Sequence, residues 1–492
     1  MSGKTVAPEL LTADENVKYD ALIVGCGVIG PCIATALARK GKKVLIVEKE
    51  WTFPERIVGE LMQPGGVRAL KSLGMVQAFN NIDAYPVTGY TVIYNGEEVD
   101  IPYPYKADSA PVEKLEGIVK DGNDKVLDDA NIKIKDFEDD ERERGIAFVH
   151  GKFLQNLRKI VADEPNVTRL QGTVIEIMKD DKNEVYGAKV DIPTRGKVVF
   201  KANLTFVCDG IFSRFRTELH PDHQSRVDSS FIGMALYNAD MPAPKHGHVI
   251  LGNNHLPIIC YQISPEEVRL LCAYNSAKLP SDIKGWMTKE VQPFIPKKLR
   301  PSFDAALAEG KFKSMPNSYL PAIPNQITGL CVIGDALNQR HPLTGGGMTV
   351  GLQDVVLLMK KISDLDFNDR ELVLDEILDF NYEKKDYGVV INVLSIALYA
   401  LFAANTPELK VLQKGCFKYF QRGGDSIAVP ARFLAGVLPK PLVLTRVFFA
   451  VAFYACYINI QEQGLVGFFQ AFSILITAFK VFTPFLYEEM FS

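Results

Sequence analysis

The sequence predicts an α/β fold with an antiparallel β-sheet domain inserted into it and an α-helical region following it. Three observations predict this. Residues 17–50 hold a strand, a glycine turn, a helix and a second strand; residues 231–274 are β-rich but broken by Pro242, Pro244 and Pro257; and three apolar runs crowd the chain after Tyr387. At about 100–200 residues per domain, 492 residues suffice for two or three domains with sizeable cores. The balance of 55 basic against 59 acidic residues leaves a net charge of −4, which excludes nucleic acid as a dominant electrostatic partner. A hydrophobic content of 47% with 23% charged residues excludes collagen-like, mini-protein and wholly disordered classes. That mean conceals a gradient, because the last fifty residues are far more apolar than the rest.

The first unit is the most informative. An apolar run at 21–24 meets Gly25, Gly27 and Gly30, then a helical stretch of small residues to Arg39, then a second apolar run at 44–47. This spacing is that of a Rossmann-like parallel crossover. Gly25 permits the tight turn, Gly27 lets backbone approach a pyrophosphate, and Gly30 lets the helix pack closely. Glu48 closes the second strand, where an acid accepts hydrogen bonds from a ribose.

From 106 to 144, 21 of 39 residues are charged with few large apolar side chains, which predicts an exposed, partly mobile excursion. A helix with an apolar stripe at Phe153, Leu154, Leu157, Ile160 and Val161 follows, then short β-type runs to Val207. The prolines in 231–274 point to an antiparallel sheet, read as a second domain inserted into the first. The nucleotide-binding pattern resumes at Leu330 and continues into a helix at 348–362.

Beyond Tyr387, residues 389–404 are nearly unbroken apolar; 447–460 has thirteen apolar residues in fourteen and 465–479 has eleven in fifteen. Each run is shorter than the roughly 20 residues of a spanning helix. Nine phenylalanines (448, 449, 453, 468, 469, 472, 479, 482 and 485) are too many for a small terminal core, so helices lying in one membrane leaflet are favoured over a bilayer-crossing hairpin. Lys440, Arg446 and Lys480 flank these runs, placed for their charges to reach lipid headgroups.

The eight cysteines show no CxxC pair and read as reduced, mostly buried thiols facing a cytosolic compartment. Residues 1–18 lack the apolar core of a signal peptide. The pairs His220 with His223 and His246 with His248 match no zinc spacing and read as surface or loop histidines, so no metal site is expected.

Two further motifs carry chemistry. CDGIFSRFR at 208–216 fits DGxxSxxR directly after a strand; Gly334 and Asp335 begin GDA, followed by Pro342 and the run Gly345, Gly346, Gly347 and Met348. An aspartate after a strand suits the ribityl hydroxyls of a flavin, and helix-end amides stabilise negative charge on its reduced ring. In this order the motifs resemble the single-component flavoprotein monooxygenases of the aromatic-hydroxylase type. VGELMQPGG at 58–66, PYP at 102–104, HGKF at 150–153, HPLTGGGMTV at 341–350 and KGCFKYF at 414–420 are similar to the squalene epoxidase family in its fungal form, over nearly the whole chain.

The resemblance implies an FAD enzyme that epoxidises squalene with O2 to (3S)-2,3-oxidosqualene, through a flavin C4a-hydroperoxide, in sterol (ergosterol) synthesis. It implies Tyr90 near the flavin held by Gln63; cofactor contacts at Val28, Ile29, Glu48, Arg56, Arg158, Val174, Asp335 and Met348, beside Asp209 and the glycines; and a substrate tunnel at Phe402, Phe417, Phe420, Pro430 and Phe433. With one dinucleotide fingerprint in the sequence, electrons come either from transient NADPH binding or from another protein, and the resemblance implies NADPH through a membrane-bound NADPH-cytochrome reductase. The implied location is the cytosolic face of the endoplasmic reticulum membrane, with lipid droplets as a second site. The domain division on this reading is an FAD-binding domain at 17–85, 145–227 and 319–388, a substrate-binding domain at 86–144 and 228–318 containing the charged excursion, and a membrane-associated helical region at 389–492. A flavin-dependent reductase of prenyl lipids and a non-enzymatic prenyl-binding escort protein share the fold and stand as alternatives; the intact Asp335 and Gly345 to Gly347 argue against the escort.

Overall fold

The computed structural model describes residues 10, 12–56, 58–120, 122, 125–126, 131–138, 141–193, 195–252 and 255–491. Its first sheet is built on parallel strands in the order Val167–Gln171, Val44–Glu48, Lys18–Val24, Gly196–Val207 and Leu330–Val332. Residues 21–23 and 44–46 are wholly buried, as expected of parallel strands covered on both faces. The twelve-residue strand Gly196–Val207 serves two neighbourhoods: its first half pairs antiparallel with Val185–Ile192, which pairs on to Thr173–Lys179, and its last three residues pair with Leu330–Val332. Helices Ile29–Arg39, His150–Ala162 and Gly347–Ile362 bury their apolar stripes in one core against this sheet.

The second sheet runs Lys313–Tyr319, Arg226–Tyr237, Glu267–Tyr274, His255–Gln262, His246–Gly252, Gly89–Tyr94 and Glu97–Pro102. It is antiparallel, as predicted, except where His246–Gly252 lies parallel to Gly89–Tyr94. The chain passes through this sheet twice, and its early and late strands meet at that pair. Alternation along the strands sorts the faces. Ile93, Ile250, Ile258 and Leu270 pack under helix Arg300–Glu309, whereas Val92, Val249, Ile259 and Leu271 face the C-terminal helices. His248 sits inside this sheet, fully buried, with its Nε2 accepting from the Ala243 amide at 3.0 Å, which corrects its reading as a surface or loop histidine. All eight cysteines are buried free thiols.

The charged excursion is better anchored than its composition predicts. Leu115, Ile118, Val126 and Ile132 are sparse in sequence but all enter the core of the first sheet's domain. Arg39 donates to the Ile118 carbonyl at 2.9 Å, and Lys120 pairs with Glu164 at 2.8 Å. The excursion therefore packs on the dinucleotide-type body rather than on the second sheet; its positions 121, 123–124, 127–130 and 139–140 lie outside the described residues.

The three apolar runs lie in helices Lys385–Ala403, Pro441–Gln463 and Leu465–Phe491, of 19, 23 and 27 residues. Each helix includes residues outside its apolar run (385–388; 441–446 with 461–463; 480–491), so the lengths read from sequence were too short, and all three are long and apolar enough to cross a membrane by length and composition. They differ in surroundings. Val389, Val390, Val393 and Ala397 of the first are buried in protein, while Phe453, Phe468, Phe469, Phe472 and Phe479 of the other two are exposed. The phenylalanines thus divide, since Phe482 is fully buried and stacks on Phe448 at 4.3 Å. The last two helices form a hairpin that seats on helix Pro407–Gln421 at Gly415, where a β-carbon would stand 2.2 Å from that of Ala455. Gly415→Val is expected to destabilise the detergent-solubilised protein by about 1–3 kcal/mol through overpacking, measured as a lowered midpoint of chemical denaturation; an unchanged midpoint would show that the hairpin seat is soft.

Candidate functional site

The glycine turn has the geometry its sequence implies. A β-carbon on Gly25, at φ +100°, would lie 2.7 Å from the Cys208 carbonyl oxygen, and one on Gly30 would lie 2.0 Å from that of Gly25. Both glycines are therefore required by close backbone approach. At Gly27 a β-carbon would meet nothing within 4 Å, so this residue presents bare backbone to open space before helix Ile29–Arg39. The Cys26 amide donates to Glu48 Oε2 at 2.7 Å, and the Glu50 amide to Oε1 at 3.0 Å. A carboxylate offers about four lone-pair sites, so Glu48 both ties the turn and keeps capacity for a hydroxyl.

Arg158 is buried beneath this turn and donates to three carbonyls, those of Cys26, Thr52 and Glu50, at 3.1 to 3.2 Å. Three of its five N–H donors thus brace the turn from beneath. Arg56 is exposed near Asp335, whose carboxyl feels its charge. Val174 is buried with Val47, Leu170 and Val190, and Val28 and Ile29 pack on the core of the first sheet's domain.

The DGxxSxxR spacing is explained by three contacts. Ser213 caps helix Arg214–Leu219 by accepting from the Arg216 amide at 3.2 Å. Arg216 then reaches the carbonyls of Ile211 at 3.1 Å and Asp335 at 3.3 Å, and Gln339 Nε2 reaches the same two carbonyls at 3.1 and 3.0 Å. The turn at 209–213 and the loop at 334–339 are thereby locked together. Asp209 keeps a buried oxygen, Oδ1, that accepts nothing from the protein, and burial pushes its carboxyl pKa up. Asp335 faces into a cavity of about 160 Å³ that Gly345, Gly347, Met348, Arg340, Glu60 and Tyr90 also line. It is accessible from that cavity yet surrounded by protein, so desolvation pushes its pKa up, with Arg340, Arg56 and Arg216 opposing. The unfilled approach at Gly27, the idle oxygen of Asp209 and the cavity-facing Asp335 fit a dinucleotide with a polar chain.

A second, apolar cavity of about 80 Å³ shares Tyr90 and Leu343 with the first. Phe402, Phe420, Pro430 and Phe433 line it together with Cys416. Phe417 does not. It follows Cys416 by one residue, about 100° around the helix, and packs on Tyr94 at 5.2 Å.

Gln63 precedes helix Pro64–Ser72 and is held where the Gly65 amide donates to the Ala435 carbonyl at 2.7 Å. Its Nε2 lies 2.7 Å from the Thr344 carbonyl, which can only accept, and this fixes the amide orientation. The same nitrogen donates to the Tyr90 hydroxyl, while Oε1 accepts from the Tyr103 hydroxyl. The amide thus spends both hydrogens and leaves Tyr90 its own proton to donate. Burial pushes the Tyr90 phenol up to about 12, so it stays neutral at working pH.

Sequence reading missed Tyr103 as a member of this group, although the PYP run contains it. It also missed the Glu60–Arg269 pair in the cavity wall, with Arg269 Nη2 on Glu60 Oε1 at 3.1 Å, and Arg340. A charged residue inside an apolar strand, as in VRLL at 268–271, is the signal that marks such a pair. Among the described residues no cluster of His, Cys, Asp or Glu able to hold a metal ion is present.

The squalene epoxidase family profile matches residues 201–473. The chain is 71% identical over 494 residues to the squalene epoxidase of Saccharomyces cerevisiae, covering 100% of both, and 73% identical over 485 residues to the squalene monooxygenase of Candida glabrata, covering 98% of this chain and 99% of that one. Its fold is similar to p-nitrophenol 4-monooxygenase from Pseudomonas putida, with a TM-score of 0.65 at 16% identity over 85% of this chain and 97% of that one. With a dinucleotide turn, an apolar chamber joined to it at Tyr90, and relatives matched from end to end, this chain belongs to the squalene epoxidase family.

Proposed function

We infer that the protein is an FAD-dependent monooxygenase that converts squalene and O2 to 2,3-oxidosqualene in sterol synthesis. The observation that carries the reading is the wall shared by the two cavities: polar groups suited to a dinucleotide stand on one side of Tyr90, and an apolar chamber suited to a hydrocarbon on the other.

Reduced FAD, when bound, supplies the activation of O2 and the oxygen atom that the alkene accepts. The chain's own residues do the rest. Gly27 and the first turn of helix Ile29–Arg39 receive the pyrophosphate, Glu48 the ribose, and Asp209 and Asp335 the hydroxyls of the linking chain. Gly345, Gly346, Gly347 and Met348 bring a helix N-terminus to the ring's polar edge. An alkene is a neutral nucleophile and needs no base. Tyr90, neutral and with a hydrogen to donate, orients a group at the boundary, and Gln63 and Tyr103 hold it there. Phe402, Phe420, Pro430 and Phe433 hold the hydrocarbon and keep water out.

One dinucleotide fingerprint leaves reduction to an outside donor, and we assign this to an NADPH-cytochrome reductase. The exposed aromatic face of the terminal hairpin supports docking on a lipid surface, for which the cytosolic face of the endoplasmic reticulum and lipid droplets are the candidate sites. We divide the chain into an FAD-binding body, a substrate sheet and a helical membrane-associated region.

Supplied with squalene, O2, NADPH and reductase, the detergent-purified enzyme is expected to yield oxidosqualene carrying one atom from labelled O2 by mass spectrometry. NADPH consumption with no oxygen in the product would instead favour a prenyl-lipid reductase. Tyr90→Phe and Tyr103→Phe are each expected to lower kcat about tenfold, the equivalent of one lost hydrogen bond at a buried site, with FAD content unchanged by absorbance; wild-type turnover in either would remove that hydroxyl from the mechanism. Replacing Phe469 and Phe472 together by Glu is expected to shift most of the protein from the membrane pellet to the supernatant, whereas full pelleting would refute the docking face.

A further inference from the structure

Three buried polar residues outside the groups assigned above, Glu489, Asn392 and Asn338, join Arg340 of the cofactor cleft in one line to the terminal helix. Glu489, in the last turn of helix Leu465–Phe491, is almost fully buried, and its Oε2 accepts from Asn392 Nδ2 at 2.9 Å. Asn392 lies in the middle of the apolar helix Lys385–Ala403; its Oδ1 accepts from Arg340 Nε at 2.6 Å, and its Nδ2 also reaches Asn338 Oδ1 at 2.9 Å. Arg340 also donates to the carbonyls of Asn338 and Gly347, each at 3.0 Å, and to Asn338 Oδ1 at 2.5 Å. Gly347 is the first residue of helix Gly347–Ile362, and both Gly347 and Arg340 line the polar cavity.

Simple helix docking would be served at least as well by aliphatic side chains, because buried charges are costly to desolvate. A directional polar chain does something packing does not, since it fixes where the guanidinium points. We propose that Glu489 is a positioning residue for the flavin: through Asn392 it holds Arg340, and Arg340 holds the glycine run against the cofactor, so that seating of the hairpin completes the FAD site. The proposal rests on the reading of this cleft as the FAD site.

The structure supplies its own control. Glu488, adjacent in sequence, pairs with Arg226 at the surface with Nη1 to Oε1 at 3.2 Å, and Lys385 Nζ donates to the Met490 carbonyl at 3.0 Å; these contacts secure the same helix end without touching Arg340. In full-length enzyme purified in detergent, FAD affinity is measured by flavin fluorescence titration after removal of bound cofactor, with the thermal midpoint of the apoprotein recorded alongside. Glu489→Ala is expected to weaken FAD binding about tenfold, the effect of one hydrogen bond to a charged group. Glu489→Gln, which retains an acceptor for Asn392, should bind within about twofold of wild type, and Glu488→Ala likewise. Asn392→Leu should reproduce the Glu489→Ala loss, and the double variant should lose no more than either single one, as members of one chain do. Equal losses for Glu488→Ala and Glu489→Ala, or no loss in Glu489→Ala and Asn392→Leu, would overturn the proposal. Failure of the wild-type protein to bind FAD at all would instead overturn the function on which it rests.

Discussion

The rest of the molecule is organised around one carboxamide. Gln63 is pinned by a carbonyl that can only accept, Thr344, and by a phenol that donates to it, Tyr103, so its second hydrogen has one remaining destination, the oxygen of Tyr90. Tyr90 is the side chain at which a polar cavity and an apolar one share a wall. The four members come from different places: Gln63 from before a helix of the first body, Tyr90 and Tyr103 from the edge region of the second sheet, and Thr344 from the loop leading to the glycine run. The amide therefore sets the relation between the two sheets at the place where chemistry requires it.

That requirement explains why neither sheet is self-sufficient. A dinucleotide demands charge-accepting backbone and carboxylates, which the parallel sheet supplies at its strand ends. A hydrocarbon demands the opposite, and the second sheet offers it one apolar face only, through the alternation that puts Val92, Val249 and Leu271 on the side of Phe402 and Phe420. The facing wall must come from elsewhere, and the chain supplies it with helices after residue 385. Helix Lys385–Ala403 is consequently part of the body despite its membrane-like composition.

What could be read from sequence follows the range of the interactions. The glycine turn was legible because its requirements are local: three residues, one strand end and one helix start, and each glycine has the steric role its spacing implied. The pair Gln63 and Tyr90 was reached through family resemblance alone, since 27 residues separate them and a strand tyrosine looks the same whether or not it borders a cavity. Arg158 shows the opposite limit. The resemblance implied a cofactor contact, but the fold commits three of its five N–H donors to backbone carbonyls. Composition misled at the excursion, where four aliphatic residues outweigh 21 charges because all four reach one core. Phe417 was misplaced by a single helical position, a distinction available only once the helix phase is known.

The two populations of apolar residues in the last hundred positions now have a physical division. Burial distinguishes them, because residues such as Phe482 and Val393 pack inside protein, whereas Phe468, Phe469 and Phe472 crowd the open turn of the hairpin. A face of that size left to water would cost roughly 25 cal/mol for each Å², so a lipid surface is the medium in which this fold is at ease. The same hairpin packs Phe448 and Val447 into the wall of the substrate chamber. One element thus carries an exposed aromatic face on its outside and a wall of the apolar chamber on its inside, the arrangement that the proposed membrane docking needs for a lipid-soluble substrate.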